Sequence, residues 1–316
     1  MARVLITRRL PGEALERLAD AHEIEVWPER LPPSPERLRE LAAEAEGLLS
    51  LVTDRIDGEL LDAAPRLRAI ANYAVGTDNI DLDAAAERGI PVGNTPDVVT
   101  DATADLAWAL LLALARRLPW GISDVLGGEW KTWEPERNLG ADVTGATLGV
   151  VGYGRIGQAV ARRAAGFDME VVHSGRRHGG LPLDEVLDRA DFVSLHVPLT
   201  PDTLGLIDMR AFELMKPTAL LINTARGPIV DHEALRRALE DGEIAGAALD
   251  VTDPEPLPAE HPLLQAPNLL VVPHVGAATV GTREQMTALA VDNLLAGLAG
   301  RRMPHQANEP VARGRR

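Results

Sequence analysis

Three glycines at fixed spacing, Gly152, Gly154 and Gly157, are the first residues of this chain that could do chemistry. With Tyr153, Arg155 and Ile156 between them they form G-x-G-x-x-G. The apolar residues Leu148, Val150 and Val151 ahead of the motif read as a short buried strand, and Gln158–Ala165 behind it reads as a helix. In that strand-turn-helix order, Gly152 permits a tight turn, Gly154 lets the backbone approach a pyrophosphate, and Gly157 lets helix and strand pack closely. The helix N-terminus adds free N–H groups and a positive dipole end, so a dinucleotide phosphate is the implied occupant. Three later stretches place polar side chains in Gly/Pro-rich loops directly after apolar strands. Ile222–Asp231 offers Thr224, Ala225 and Arg226; Ala248–Pro256 offers Asp250 and Glu255; Val272–Thr279 offers His274 and Gly276. Carboxyl ends of strands are where open α/β sheets bind ligands.

The elements that must position these residues alternate between strand and helix along the whole chain. Short apolar runs at Val4–Ile6, Ile24–Trp27, Leu48–Val52, Leu67–Ala71 and Ile90–Val92 are separated by helical spacings, which predicts a small parallel-sheet domain over residues 1–97. It carries no G-x-G-x-x-G. Asp101–Arg117 is the strongest helix, apolar on nearly every face and ending in paired arginines. Leu118–Val143 shows little periodicity and holds Trp120, Trp130 and Trp133, aromatics that suit an interface or a core anchor. After the glycine motif the alternation resumes, so residues 98–285 read as a doubly wound dinucleotide-binding domain. A last helix, Thr282–Leu298, leads the chain back, and residues 286–316 complete the first domain. The expected fold class is therefore α/β, with two Rossmann-like doubly wound parallel-sheet domains, the substrate domain discontinuous, and a cleft between them.

Composition narrows the partners. Lys+Arg 32 against Asp+Glu 47 gives a net charge of −15, which disfavours nucleic acid and anionic membranes. A small anionic substrate must then be held by local positive charge. The absence of cysteine removes disulfides, thiol nucleophiles and thiolate metal sites, and no pair of histidines has metal-ligand spacing. The longest strongly apolar run, Leu106–Ala115, is far short of the ~20 residues of a membrane span, and Met1–Arg9 does not resemble a signal peptide. A cytoplasmic location is expected.

Taken with Asn72–Asp81 and Trp130–Gly157, these ordered motifs resemble the D-isomer-specific 2-hydroxyacid dehydrogenases, and in particular their glyoxylate and hydroxypyruvate reductases. The resemblance covers nearly the whole chain. It implies reduction of a small 2-oxo acid to the 2-hydroxy acid, with Arg226, Glu255 and His274 as the catalytic set; separately, the apolar Asp101–Arg117 helix and the tryptophan loop lead to the expectation of a homodimer through those segments. The roles follow from chemistry. Hydride arrival puts negative charge on the carbonyl oxygen, so a proton donor with a pKa near neutral is needed, which suits His274. Glu255, bonded to the other ring nitrogen, would favour imidazolium and fix its orientation. Arg226 presents a planar fork for the substrate carboxylate. The backbone N–H groups of Val75 and Gly76 would bind the same carboxylate, with hinge closure excluding water. Arg137 stands where some hydroxypyruvate reductases of the family place an aromatic residue.

The resemblance also assigns cofactor contacts: Thr103, Gly152, Gly154, Arg155, Ile156, Gly157, Gly175, Arg176, Arg177, His196, Pro198, Thr224, Ala225, Asp250, His274 and Gly276, with Asp250 on the nicotinamide carboxamide. An NAD-preferring fold has an acid at the end of its second strand to hold the ribose. Here that place reads His173-Ser-Gly-Arg-Arg177, so NADP(H) is the expected cofactor, its 2′-phosphate paired with Arg176 and Arg177, and NAD(H) the second choice. Two rivals stay open: 3-phosphoglycerate or another D-2-hydroxyacid dehydrogenase, and a dinucleotide-sensing corepressor with the same fold. Formate dehydrogenases pair the histidine with Gln where this chain has Glu255.

Overall fold

The computed structural model describes residues 1–175 and 179–311. The chain divides into two compact units, Met1–Val99 with Ala278–Arg316, and Thr100–Ala277. The sequence reading put the joins near 97 and 285.

In the first unit the elements run β1 (Arg3–Ile6), α1 (Ala14–Ala21), β2 (Glu23–Val26), α2 (Pro35–Ala42), β3 (Gly47–Ser50), α3 (Gly58–Ala63), β4 (Ala69–Asn72), α4 (Leu82–Glu87) and β5 (Val92–Gly93). The five strands form one parallel sheet in the order β2-β1-β3-β4-β5. Alternate residues of each strand face opposite sides, so Leu5, Leu48 and Ile70 pack with Leu38, Leu60, Leu61 and Ala85 from α2, α3 and α4. A long helix near the end of the chain, Val280–Leu298, packs on β3 and β4 from within the same unit, its Leu294 and Leu298 lying over Gly47. Ser34, Asp57 and Asp81 cap α2, α3 and α4 by accepting a backbone N–H, which satisfies donors the helices would otherwise leave open.

The second unit contains α5 (Thr100–Ala115), α6 (Leu118–Leu126), β6 (Thr147–Val151), α7 (Arg155–Ala164), β7 (Glu170–Ser174), α8 (Leu183–Arg189), β8 (Phe192–Leu195), α9 (Met209–Leu214), β9 (Leu220–Asn223), α10 (His232–Asp241), β10 (Gly246–Leu249) and β11 (Leu269–Val271); the Val280–Leu298 helix of the first unit is α11. Its six strands are also parallel, ordered β11-β10-β9-β8-β6-β7. Leu148, Val150, Phe192, Leu220, Ile222 and Ala248 face α5 and α7, while Val151, Val193, Leu195, Leu221, Ala247 and Leu249 face α8, α9 and α10. Both faces of every central strand are covered, which is why these strands read as continuous apolar runs. The strand order reverses between β6 and β8, and the glycine motif lies at the carboxyl end of β6.

One difference from the sequence expectation stands out. Leu118–Leu126 is helical although its pattern showed no apolar stripe: no residue of α6 is buried, so nothing imposed a 3.6-residue period. Pro119 is tolerated because it lies in the first turn, where no helical N–H bond is lost. The apolar α5 is buried mainly within its own unit, with Trp108 stacked on Phe167 at 4.8 Å and its indole N–H donating to the Val160 carbonyl.

The close approach at Gly157 is measurable. A Cβ there would lie 2.1 Å from the Gly152 carbonyl oxygen, a backbone atom that cannot swing away. Gly157→Ala is expected to destabilise the protein by about 1–3 kcal/mol, the usual cost of overpacking, and to appear as a lower denaturant midpoint with unchanged slope.

Candidate active site

The carboxyl ends of β9, β10 and β11 lie side by side, and each carries one of the three predicted catalytic residues in its following loop. Asn223, the last residue of β9, is fully buried; its Nδ2 donates to the Arg226 carbonyl at 2.9 Å and its Oδ1 accepts the Ala225 N–H at 3.0 Å. That fixes the turn from which the Arg226 guanidinium projects, itself donating to the Ala225 carbonyl. Gly227 follows because a Cβ there would lie 2.0 Å from the Thr252 carbonyl oxygen, so the loops after β9 and β10 are pressed backbone to backbone.

Glu255 reaches back to His274. Its Oε1 lies 2.5 Å from His274 Nδ1, with both side chains about one-third exposed, at 36% and 33%. Burial alone would raise the Glu255 pKa, but the His274 hydrogen bond and charge, the Thr252 N–H and the Arg226 charge outweigh it and hold the carboxyl below its usual value. The carboxylate is therefore anionic beside the ring, and the other nitrogen, Nε2, is left to face a reactant.

His274 sits in the left-handed region at φ 52, a conformation that costs a non-glycine residue free energy and persists only when its surroundings fix it. Asp250 supplies that fixation. It is 2% exposed, and its two carboxylate oxygens accept the N–H groups of Val275 at 2.6 Å and Gly276 at 2.8 Å, while its own carbonyl accepts the His274 N–H at 2.8 Å. Burial raises the Asp250 pKa against the opposing pull of those donors and of His274. The sequence reading gave Asp250 to the cofactor and missed this holding role; its place one residue after β10 carried no signal of it.

The glycine motif has the form of a phosphate cradle. Gly152 adopts φ 97, and a Cβ on it would lie within 2.7 Å of the His196 and Val197 backbone, so the loops after β6 and β8 abut where the strand order reverses. At Gly154 a Cβ would meet nothing within 4 Å, and this residue caps α7 without any side-chain acceptor on the helix N–H groups. Open space at the N-terminus of a ten-residue helix fits a dinucleotide pyrophosphate. Thr224 Oγ1 is buried without a hydrogen-bond partner among the described residues, and Thr103 is buried beside Gly276 and Asp250. The end of β7 presents His173, Ser174 and Gly175, with no carboxylate. Arg176 and Arg177 lie outside the described residues. Pro198 follows His196, and its carbonyl accepts the Thr203 hydroxyl.

In the first unit, Val75 and Gly76 follow β4 in a loop whose carbonyls are both engaged: Asn94 Nδ2 donates to the Val75 carbonyl at 2.7 Å, and buried Asn72 Nδ2 to the Gly76 carbonyl at 2.9 Å. Neither N–H donates to a described residue, an arrangement suited to receiving a carboxylate. Asn79 extends the network by bonding Asn72 and the carbonyls of Leu51 and Asp54. Asn72 and Asn79 lie in a motif visible in the sequence, but their anchoring roles depend on a loop path that spacing does not reveal.

Known proteins match this architecture over its length. The family described as D-isomer specific 2-hydroxyacid dehydrogenase, NAD binding domain, matches residues 108–276. A glyoxylate reductase of Thermococcus gammatolerans is 47% identical over 325 residues, covering 98% of this chain and 97% of the relative. The crystal structure of a Thermus thermophilus protein superposes with a TM-score of 0.91 at 51% identity, over 96% of this chain and 99% of that one. An NADPH-dependent glyoxylate/hydroxypyruvate reductase of Sinorhizobium meliloti, solved with NADP and malonate, does so with a TM-score of 0.87 at 33% identity, over 100% and 99%. The chain belongs to the D-isomer-specific 2-hydroxyacid dehydrogenase family. It is an NAD(P)-dependent oxidoreductase of that family.

His196 gives the site a pH signature. Burial pushes its pKa from 6.5 down to about 4, and its Nε2 lies 2.8 Å from the Ser194 hydroxyl, so the ring is neutral in the folded protein. Because the folded pKa is depressed, the unfolded chain takes up a proton that the folded chain refuses as pH falls below 6.5. Stability from this group is complete above 6.5 and declines toward pH 4. His196→Gln should flatten the fall of the thermal midpoint across that window relative to the parent, read by circular dichroism melts at closely spaced pH.

Proposed function

We propose that this chain reduces glyoxylate or hydroxypyruvate to the corresponding 2-hydroxy acid with NADPH as its preferred reductant. The observation that carries the reading is the 2.5 Å bond between His274 Nδ1 and Glu255, made on adjoining strand ends beside the Arg226 loop. When bound, the nicotinamide supplies the hydride. His274 Nε2 then gives a proton to the carbonyl oxygen as negative charge grows there, while Glu255 holds Nδ1 and orients the ring. The Arg226 guanidinium and the N–H groups of Val75 and Gly76 are the donors for the substrate carboxylate, which orients the 2-oxo group for attack on one face. Thr103, Thr224, Ala225, Asp250, Gly276, His196 and Pro198 would hold the cofactor together with Gly152, Gly154, Arg155, Ile156 and Gly157, whose helix N-terminus would receive the phosphates.

The substrate class is supported by relatives bearing the name glyoxylate reductase at 47% identity, and by the S. meliloti reductase solved with a small dicarboxylate. The cofactor choice is supported by the carboxylate-free end of β7, by Arg176 and Arg177 next in sequence, and by the NADPH dependence of that S. meliloti relative. A matrix of glyoxylate, hydroxypyruvate, pyruvate and phosphohydroxypyruvate against NADPH and NADH tests acid and cofactor together. The first two acids with NADPH should give the highest kcat/KM. His274→Ala should lower kcat by roughly 10²–10⁴, and Glu255→Gln by about 10–100-fold. Unchanged turnover in His274→Ala would sink the assignment.

A homodimer accompanies this reading. On α6 and the loop after it, Ile122, Val125, Leu126, Trp130, Trp133 and Leu139 are 56–83% exposed, an apolar surface that a second copy of the chain would cover. Scattering in solution should report about twice the 33.9 kDa chain mass, and Trp133→Asp with Leu126→Asp should return it to the single-chain value.

A further inference from the structure

The first unit has a strand reversal of its own. Its order β2-β1-β3-β4-β5 changes direction between β1 and β3, and open α/β sheets bind ligands outside the carboxyl ends of strands at such a point. A cavity of about 630 Å³ occupies that place. The loop after β1 lines it with Arg8 and Arg9, the loop after β3 with Leu51, the loop after β2 with Glu29 and Arg30, the residue after β4 with Tyr73, and α11 with Arg283. The volume falls within the ~300–1,000 Å³ of small-molecule sites and far exceeds the ~30 Å³ of one water.

The charge around it is unusual for this chain. With a net charge of −15, carboxylates are in excess, and most described arginines elsewhere in the unit are paired, among them Arg3 with Glu25, Arg17 with Asp292, Arg66 with Glu44 and Arg88 with Asp62. Arg8, Arg9, Arg30 and Arg283 form no ion pair among the described residues, and Glu29 is the only carboxylate among the residues lining the cavity. Arg8 is held in place by donating to the Thr7 carbonyl at 2.6 Å and the Thr53 hydroxyl at 3.4 Å. The Arg283 guanidinium lies 5.9 Å from the Tyr73 ring centroid, and the Tyr73 hydroxyl donates to the Arg283 carbonyl at 2.7 Å. Arg9 and Arg30 keep their donors free of described partners. Concave walls concentrate the field of such a group, and guanidinium forks match carboxylate and phosphate oxygens in pairs. Leu51, Pro11 and Pro28 add apolar wall for a short carbon chain.

We infer that this cavity binds the carboxylate or phosphate group of a small organic acid. The acid group comes either from the far end of an extended 2-oxo acid or from a separate anion, and the site itself does not depend on the proposed hydride transfer. Calorimetric titration of the full chain with succinate, inorganic phosphate and acetate tests it, repeated with glyoxylate present and on the Arg9→Gln/Arg30→Gln double variant. Succinate or phosphate should bind at least tenfold more tightly than acetate. The double variant should lose that margin while keeping its thermal midpoint and its KM for glyoxylate within twofold. Arg30→Gln alone, at an exposed side chain, should show a smaller loss in the same direction. Competition by glyoxylate would place the anion at the far end of the substrate, and undiminished binding would make it a separate ligand; either upholds the site. Equally weak binding of all three probes, or full affinity in the folded double variant, overturns it.

Discussion

The loop that carries His274 depends on one buried carboxylate. Asp250 accepts two backbone N–H groups, from Val275 and Gly276, and its carbonyl takes a third from His274 itself. A carboxylate so buried is costly to desolvate, and bonds of this charge-assisted kind return roughly 1.5–3 kcal/mol each. The exchange is sustainable only because both oxygens are occupied. What it secures is direction: the imidazole is presented with Nδ1 toward Glu255 and Nε2 outward, from a backbone conformation that would otherwise relax. Gly276 completes the arrangement, since a Cβ there would lie 3.0 Å from Asp250 Oδ2.

The two units solve the same problem with the same strand order. Each begins a parallel sheet at an inner strand, adds the next strand on one side, and then builds away on the other. Reversal leaves a gap at the carboxyl ends of β1 and β3 in one unit, and of β6 and β8 in the other. In the second unit the gap is floored by glycines and helix N–H groups, suited to a phosphate that approaches backbone. In the first it is walled by guanidinium side chains, suited to an anion met by charge. The difference follows from sequence: Gly152-Tyr-Gly after β6, Thr7-Arg-Arg after β1.

Much of this was legible without coordinates, and the physical reason varies by element. Strands covered on both faces announce themselves as apolar runs, so both sheets and their parallel class could be read directly. Gly152, Gly154 and Gly157 were legible because backbone crowding leaves no alternative to glycine at the first and third. Arg226, Glu255 and His274 stand out as candidates through a family pattern, but their geometry does not, since the 2.5 Å bond joins residues 19 positions apart through two loops. Asn72, Asn79, Asn94 and Asp250 were missed in their anchoring roles: an amide or carboxylate that holds a loop looks in sequence like any polar residue near a turn. Leu118–Leu126 was missed as a helix because an exposed apolar helix has no stripe. Arg8 and Arg9 drew no attention for a related reason, as two arginines in a row usually mean a solvated surface.

The left-handed backbone at His274 also filters what can replace it. At φ 52, asparagine, aspartate and glycine are tolerated, whereas β-branched residues are strongly disfavoured. A descendant of this chain that gave up this histidine would therefore replace it most cheaply with Asn or Gly, with the loop, the Asp250 anchor and the glycine motif left in place. Under the proposed role of His274, the same backbone thus also opens a short evolutionary route to a protein that still binds a dinucleotide and no longer turns it over.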